Sequence, residues 1–437
     1  MHFYSTNNKN LSTDLATAVL QGLAPDGGLF MPSSFSFLEK NVIEKIPSLT
    51  FQEISFEIGK ALFEDSLPHS ILKKIIDKAI TFDAPLVPLP KTKDTAILEL
   101  FGGPTLSFKD FGARFMARLM AYYMEKEQKE LFVLVATSGD TGSAVASAFF
   151  NIIGIKVFIL YPSGGVSDIQ EKQLTTYGGN ITALEIKGSF DDCQKLVKQA
   201  FQDIELQKSM MLASANSINI ARLFPQSFYY AWAFAQSVRL NKENLPLVCC
   251  VPSGNFGNLT AGLIAKKIGI PIARFIAATN INNSVPQYLD TGVFSPRLSI
   301  ATISNAMDVG NPSNFARLME LYPNGATQMK QDVWGVWFTD ADTRDAMKRV
   351  YETTGYMLDP HGSVAYLGLE AYRQKHPDPV FGIFLETAHP AKFLETVRDA
   401  IDATPRIPEH LVAVTKKEKK SIVLSNQFED LKNFLLE

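Results

Sequence analysis

Cysteine is scarce in this sequence: Cys193, Cys249 and Cys250 are the only three among 437 residues. An odd count, with two of the three adjacent in the apolar run PLVCCV, argues against a disulfide framework and for small core residues in the reducing cytoplasm. Histidine is sparse too. The six copies, His2, His69, His361, His376, His389 and His410, show no H-E-x-x-H spacing and no C-x-x-C accompanies them, so no metal site is expected. An excess of positive charge is also missing. The formal charge is −3 and the pI near 6.1, which leaves no field for a phosphate backbone and excludes a nucleic-acid partner. The one basic cluster, KKEKK at 416–420, is short and interrupted by an acid, and reads as a solvated helix face.

Membrane signals are lacking as well. The start, MHFYSTNNKNLSTD, has no basic stretch followed by an apolar core, so a secretory signal is not expected there. Residues 131–161 are long and apolar enough to imitate a membrane span, but Asp140 and three glycines divide them into strand, loop, small-residue helix and strand. No membrane partner is expected.

What is present is 46% hydrophobic and 20% charged residues, the balance of a globular protein with large cores. Residues 1–95 carry helical patches such as LSTDLATAVLQGL and FQEISFEIGKALF around the turn APDGGLFMP, and read as an N-terminal, largely helical cap. From there short apolar runs alternate with amphipathic segments: AILEL, LFVLVA, KVFILY, ITALEI, PLVCCV, PIARFIAAT, VWGVWF and PVFGIFLE. That alternation predicts βαβ units, an α/β fold of mostly parallel sheets with helices on both faces. The expected domains are 1–95, then 96–235 and 236–437, with the aromatic stretch ARLFPQSFYYAWAFAQSVRL separating two α/β halves and its aromatic stripe serving as core.

In open α/β sheets ligands bind beyond the carboxyl ends of strands, so three loops carry the functional information. In GPTLSFKDFGAR, Lys109 stands between Phe108 and Phe111 and beside Asp110. Local sequence leaves two readings open: a solvated surface cation, or a desolvated amine available for Schiff-base chemistry. PSGNFGN, 252–258, follows PLVCCV and precedes a helix. It is either an ordinary glycine turn with an asparagine cap or an anion cradle of backbone N–H groups, and a phosphate is the obvious guest. TSGDTGS, 137–143, also opens a helix, where Ser138 and Thr141 either cap it or hold a substrate carboxylate. Neither the dinucleotide fingerprint G-x-G-x-x-G nor the nucleotide loop G-x-x-x-x-G-K-[ST] occurs at 137–143 or 252–258, which disfavours a nicotinamide-dependent oxidoreductase. A reactive lysine, a phosphate cradle and a small-anion loop are together the requirements of a pyridoxal phosphate enzyme acting on an amino acid.

The segments GLAPDGGLFMP, GPTLSFKDFGARF, ATSGDTGSA, NSINIAR, PSGNFGNLTAG, DPHGSVA and LETAHPAKF, in that order, resemble the threonine synthase family over residues 1 to about 400. The resemblance implies the fold type II architecture of pyridoxal phosphate enzymes and a lyase of threonine biosynthesis. Its substrate would be the small molecule O-phospho-L-homoserine, turned over by a cytoplasmic monomer or homodimer. It implies Lys109 as the Schiff-base lysine, Gly254, Asn255, Phe256, Gly257 and Asn258 as the loop around the cofactor phosphate, and Thr387 as the hydroxyl at the pyridine nitrogen. By itself Thr387 reads as a cap or turn residue; only the family pattern assigns it. The reaction also requires an anion site for the leaving phosphate. Ser107, Ser138, Asn216, Ser217, Asn219 and Arg222 are its candidates, with Arg222 equally readable as a surface arginine paired with a carboxylate. The sequence departs from the family where a histidine often precedes Gly-Pro-Thr and where Thr-Ala often stands in place of Gly362 and Ser363. The alternatives are another lyase of the same cofactor class, a serine or threonine dehydratase or β-replacement synthase, and a catalytically idle relative.

Overall fold

The computed structural model describes residues 1–125, 127 and 129–437. The chain packs into two units, and neither is one continuous stretch. One comprises Met1, Met31–Phe108 and Leu223–Arg406, the other His2–Phe30, Lys109–Arg222 and Ile407–Glu437. These boundaries differ from the expected divisions at 95 and 235. The reason is strand pairing: Thr95–Glu99 lies parallel to Phe381–Glu386, so residues on both sides of 95 belong with the late part of the chain.

The first unit holds a sheet in the order Val333–Trp337, Arg274–Thr279, Leu247–Pro252, Phe381–Glu386, Thr95–Glu99, Leu86–Pro88. Its pairs are parallel except the last, which is antiparallel. Every residue of Leu247–Pro252 and of Phe381–Glu386 is buried, the uninterrupted apolar signature of strands covered on both faces. Cys249 and Cys250 are core residues, as expected, and all three cysteines are free. Among the N-terminal helices, Phe51–Phe63 buries Phe51, Ile54, Ile58 and Leu62 at helical spacing. Its start is set by a capping box between Thr50 and Glu53, a device worth about 1 kcal/mol. The aromatic stretch forms two helices, Ile220–Leu223 and Gln226–Leu240, with Pro225 as the cap of the second. The missing N–H of proline is tolerated at such a start, where it would have no intrahelical partner.

The second unit holds a parallel sheet in the order Ile422–Ser425, Ile181–Lys187, Ile155–Pro162, Leu131–Ala136, Met211–Ser214. Residues 131–161 fold as expected: strand Leu131–Ala136, helix Asp140–Phe149 and strand Ile155–Pro162. No helix among the described residues is long and apolar enough to cross a membrane. The KKEKK cluster is not a helix face, because the helix Glu409–Thr415 ends before it. Lys419 reaches Glu185 at 2.6 Å and Glu171 at 2.7 Å.

Lys419, with Ser163 and Tyr161, holds the Glu185 carboxyl down at about 2. A depressed carboxylate contributes stability that is present above its unfolded value, near 4.5, and is lost as the pH falls toward 2. In urea titrations, Lys419→Met should therefore lower stability at pH 7 and flatten the decline between pH 4.5 and 2. An identical acid profile in wild type and variant would show that the pair contributes nothing.

Candidate active site

Lys109 is the first residue of the helix Lys109–Met124. Its side chain is 14% exposed, and Nζ lies 3.8 Å from Oδ2 of Asp140, which is itself buried. A carboxylate that faces the lysine is thus Asp140, from outside its own segment. Successive helical residues point in different directions, whereas Asp140 comes from the start of another helix and is steadied by Gln170 Nε2 at 2.8 Å from Oδ1. Asp110 is fully buried, and its charge favours the cationic form of Arg222. At Gly112 a Cβ would lie 2.7 Å from the Arg222 carbonyl oxygen, so glycine is what allows the first turn of this helix to approach Arg222.

The turn before Asp140 is organised by Thr137. Its Oγ1 accepts from the N–H groups of Gly139 at 3.0 Å and Gly142 at 2.8 Å. The helix cap is Gly139, at φ 131° and with no side chain to offer. Ser138 and Thr141 therefore do not cap the helix. Both are half-buried, and their hydroxyls make no hydrogen bond among the described residues.

The proposed phosphate residues between 216 and 222 divide. Asn216 pairs its amide with Ala136, accepting from N at 3.2 Å and donating to O at 2.7 Å, and so extends the strand end. Asn219 is fully buried and donates to the carbonyls of Val19 and Ser214 while accepting from Ala221 N. Arg222 is no surface arginine. It is buried, donates from Nη1 to the Ala215 carbonyl at 2.7 Å, and burial pulls it down to about 10. All three bond backbone groups, Asn216 and Asn219 also outside their own segment, contacts that residue type alone does not distinguish from ligand binding. Ser217 remains half-buried.

In the other unit, the loop 253–258 leads from strand Leu247–Pro252 into helix Gly257–Lys267. A Cβ on Gly254 would sit 2.7 Å from both Ala306 O and Met307 Cα, so only glycine fits. Phe256 takes φ 58° and caps the helix without a side-chain hydrogen bond. Asn255 Oδ1 accepts from Ser313 N at 2.5 Å, and the Asn255 carbonyl accepts from Asn314 Nδ2 at 2.9 Å. Asn258 Oδ1 accepts from Tyr229 OH at 2.6 Å and Tyr230 OH at 2.7 Å. The aromatic stripe read as core is therefore core and also the support of this loop.

A phosphate fits this loop. The first-turn N–H groups of a helix have no intrahelical acceptor, and Asn258 Nδ2 is a buried donor with no partner among the described residues. Far apart in the chain, GPTLSF and ETAHP meet within the same unit: Ser107 bridges Ala388, Phe108 N donates to Thr387 O at 2.9 Å, and His389 N donates to Leu106 O at 3.0 Å. Lys392 Nζ adds a bond to Thr105 O at 2.7 Å. Ser107 Oγ is buried without a partner, and the hydroxyl of buried Thr387 makes no hydrogen bond among the described residues. Neither hydroxyl is engaged by another group among the described residues. Asp140, Tyr229, Tyr230, Ala306 and Asn314 are the supporting residues that the sequence did not assign, because their partners lie far away along the chain.

Residues 81–384 match the family described as pyridoxal-phosphate dependent enzyme, residues 2–80 the threonine synthase N terminus and residues 364–435 the threonine synthase C-terminal region. The threonine synthase of Haemophilus influenzae is 43% identical over 436 residues, covering all of both chains. The crystal structure of threonine synthase from Escherichia coli superposes with a TM-score of 0.92 at 42% identity, covering 100% of this chain and 99% of that one. The structure of pyridoxal phosphate-bound threonine synthase from Brucella melitensis gives 0.89 at 31% identity, covering 100% and 98%. With its glycine-constrained loop 253–258, its lysine 3.8 Å from Asp140 and this full-length similarity, the chain belongs to the threonine synthase family of pyridoxal phosphate-dependent lyases.

Proposed function

We propose that this enzyme converts O-phospho-L-homoserine and water into L-threonine and inorganic phosphate in the cytoplasm, with Lys109 as its catalytic residue. The observation that carries the reading is Lys109 itself, a shielded amine at a helix start, 3.8 Å from Asp140. When bound, pyridoxal phosphate supplies an electron sink that stabilises negative charge at the carbons of an amino-acid substrate. Lys109 holds the cofactor through Nζ and, once released by the substrate amine, takes the α-proton on that atom. The Asp140 carboxylate, 3.8 Å away, orients that amine. The N–H groups at the start of helix Gly257–Lys267 and Asn258 Nδ2 hold the cofactor phosphate, with Gly254, Asn255, Phe256 and Gly257 shaping the loop. The Thr387 hydroxyl pairs with the pyridine nitrogen.

Ser138 and Thr141, at the start of helix Asp140–Phe149, bind the substrate carboxylate. Ser107 and Ser217 serve the leaving phosphate, while Asn216, Asn219 and Arg222 brace the segment around Ser217. The test is phosphate release from O-phospho-L-homoserine with product analysis. Threonine formed in equal amount to phosphate supports the reading; keto acid and ammonia as the main products would replace it with a dehydratase.

Thr387→Asp probes the assignment at the ring. A carboxylate there favours the protonated pyridine nitrogen, whereas a neutral hydroxyl does not. The ratio of keto acid to threonine per phosphate released should rise several-fold, while cofactor affinity changes little, since one such hydrogen bond is worth about 0.5–1.5 kcal/mol. An unchanged ratio with normally bound cofactor would move the role to another hydroxyl.

A further inference from the structure

Glu386 ends the strand Phe381–Glu386 and immediately precedes Thr387. It is fully buried. Its Oε1 accepts the Asp359 N–H at 2.5 Å, and Oε2 is buried without a hydrogen-bond partner among the described residues. Burial, with Asp359 beside it and Glu99 adding to the effect, pushes this carboxyl well above the usual range.

Asp359 caps the helix Pro360–Lys375, accepting from His361 N at 2.7 Å. Its Oδ1 also lies 2.6 Å from His361 Nδ1. His361 Nε2 accepts the Ala306 N–H at 3.2 Å, so the proton of the neutral ring is on Nδ1 and is donated to Asp359. Ala306 is the residue whose carbonyl closes the space at Gly254. A continuous line of contacts thus runs from Glu386 through Asp359, His361 and Ala306 to Gly254.

Gly362 completes the arrangement. A Cβ at this position would fall 1.4 Å from Glu386 Oε2 and 2.5 Å from its Cδ, so the carboxyl occupies the space a side chain would need. Glycine at this position is therefore matched to the carboxyl that packs against it. We propose that Glu386 and Gly362 are a complementary positioning pair, in which the carboxyl registers the first turn of helix Pro360–Lys375 and, through His361 and Ala306, fixes the turn behind Gly254. The proposal rests on loop 253–258 as the cofactor phosphate site.

The experiment measures the affinity of the apo-protein for pyridoxal phosphate by absorbance titration, alongside its unfolding temperature without cofactor. The variants are Gly362→Ala, Glu386→Ala, the double variant, Glu386→Gln and, as a reference for the loop, Gly254→Ala. Gly362→Ala should lose tenfold or more in affinity. Adding Glu386→Ala should recover most of that loss, because the methyl group then enters the space the carboxyl vacates. Glu386→Gln, which keeps the acceptor and the shape, should bind within about twofold of wild type. If Gly362→Ala does not fold, a double variant that folds and binds like Glu386→Ala still shows the complementarity.

Wild-type affinity in Gly362→Ala, or a double variant as weak as the two single losses combined, would overturn the pair. So would altered unfolding temperatures with unchanged affinities, the mark of a purely structural role. If Gly254→Ala binds normally, the loop assignment itself fails and the pair's link to the cofactor fails with it; if only Gly254→Ala weakens binding, the loop stands and the pair does not.

Discussion

Lys109→Ala should reduce turnover at least a thousandfold while leaving the protein folded. The loss combines two functions of one amine, attachment of the cofactor and proton transfer at the α-carbon, and a positioned acid or base alone contributes about 10²–10⁴-fold. The side chain is 14% exposed and its partner Asp140 retains Gln170, so truncation leaves no wholly unpaired buried charge. Pyridoxal phosphate should still bind to the variant through loop 253–258, now non-covalently and removable by dialysis. In the wild type, borohydride reduction should fix the cofactor to Lys109, read by mass spectrometry of the peptides. An adduct on any other lysine, or activity within tenfold of wild type in Lys109→Ala, would displace the central assignment.

Gly254→Ala should weaken cofactor binding about a hundredfold. The added Cβ would meet Ala306 O and Met307 Cα at 2.7 Å, and both are backbone atoms that no rotamer change can move aside. The loop must shift instead, and it carries the N–H groups and Asn258 Nδ2 assigned to the phosphate. Hydrogen bonds to a charged group are worth about 1.5–3 kcal/mol each, so misplacing one or two costs close to 3 kcal/mol, a factor of about a hundred. Titration of the apo-protein measures it directly. An affinity within threefold of wild type would mean that the phosphate is held elsewhere.

The strands and the loops that follow them were legible because their signals are local. Buried parallel strands read as short apolar runs, and each of the eight runs listed contains or overlaps a strand of the structure. No such run marks Phe3–Ser5, Ser12–Thr13 and Phe30–Pro32, which form a small sheet of their own, or Leu86–Pro88, Met211–Ser214 and Ile422–Ser425, at the edges of the two larger sheets. These edge strands are short, and the last is half-exposed, so they lack the continuous burial that makes an apolar run visible.

Sequence by itself determined the α/β class, the lysine, the glycine-asparagine loop and the family, since each depends on residue identity within a few neighbouring positions. Only the tertiary structure decided which carboxylate meets Lys109. Asp110 is adjacent in the chain, but the carboxylate 3.8 Å from Lys109 Nζ is Asp140, which arrives from another helix. It also showed that Asn216, Asn219 and Arg222 each donate to a backbone carbonyl, because an amide or guanidinium looks the same in sequence whether its acceptor is a carbonyl or a substrate. The unit boundaries at 30, 108, 222 and 406 were invisible for a related reason: they follow pairings such as Thr95–Glu99 with Phe381–Glu386, made by backbone hydrogen bonds between segments far apart in the chain. The same holds for Gly362, whose missing side chain is explained by a carboxyl on a strand that no local pattern connects to it.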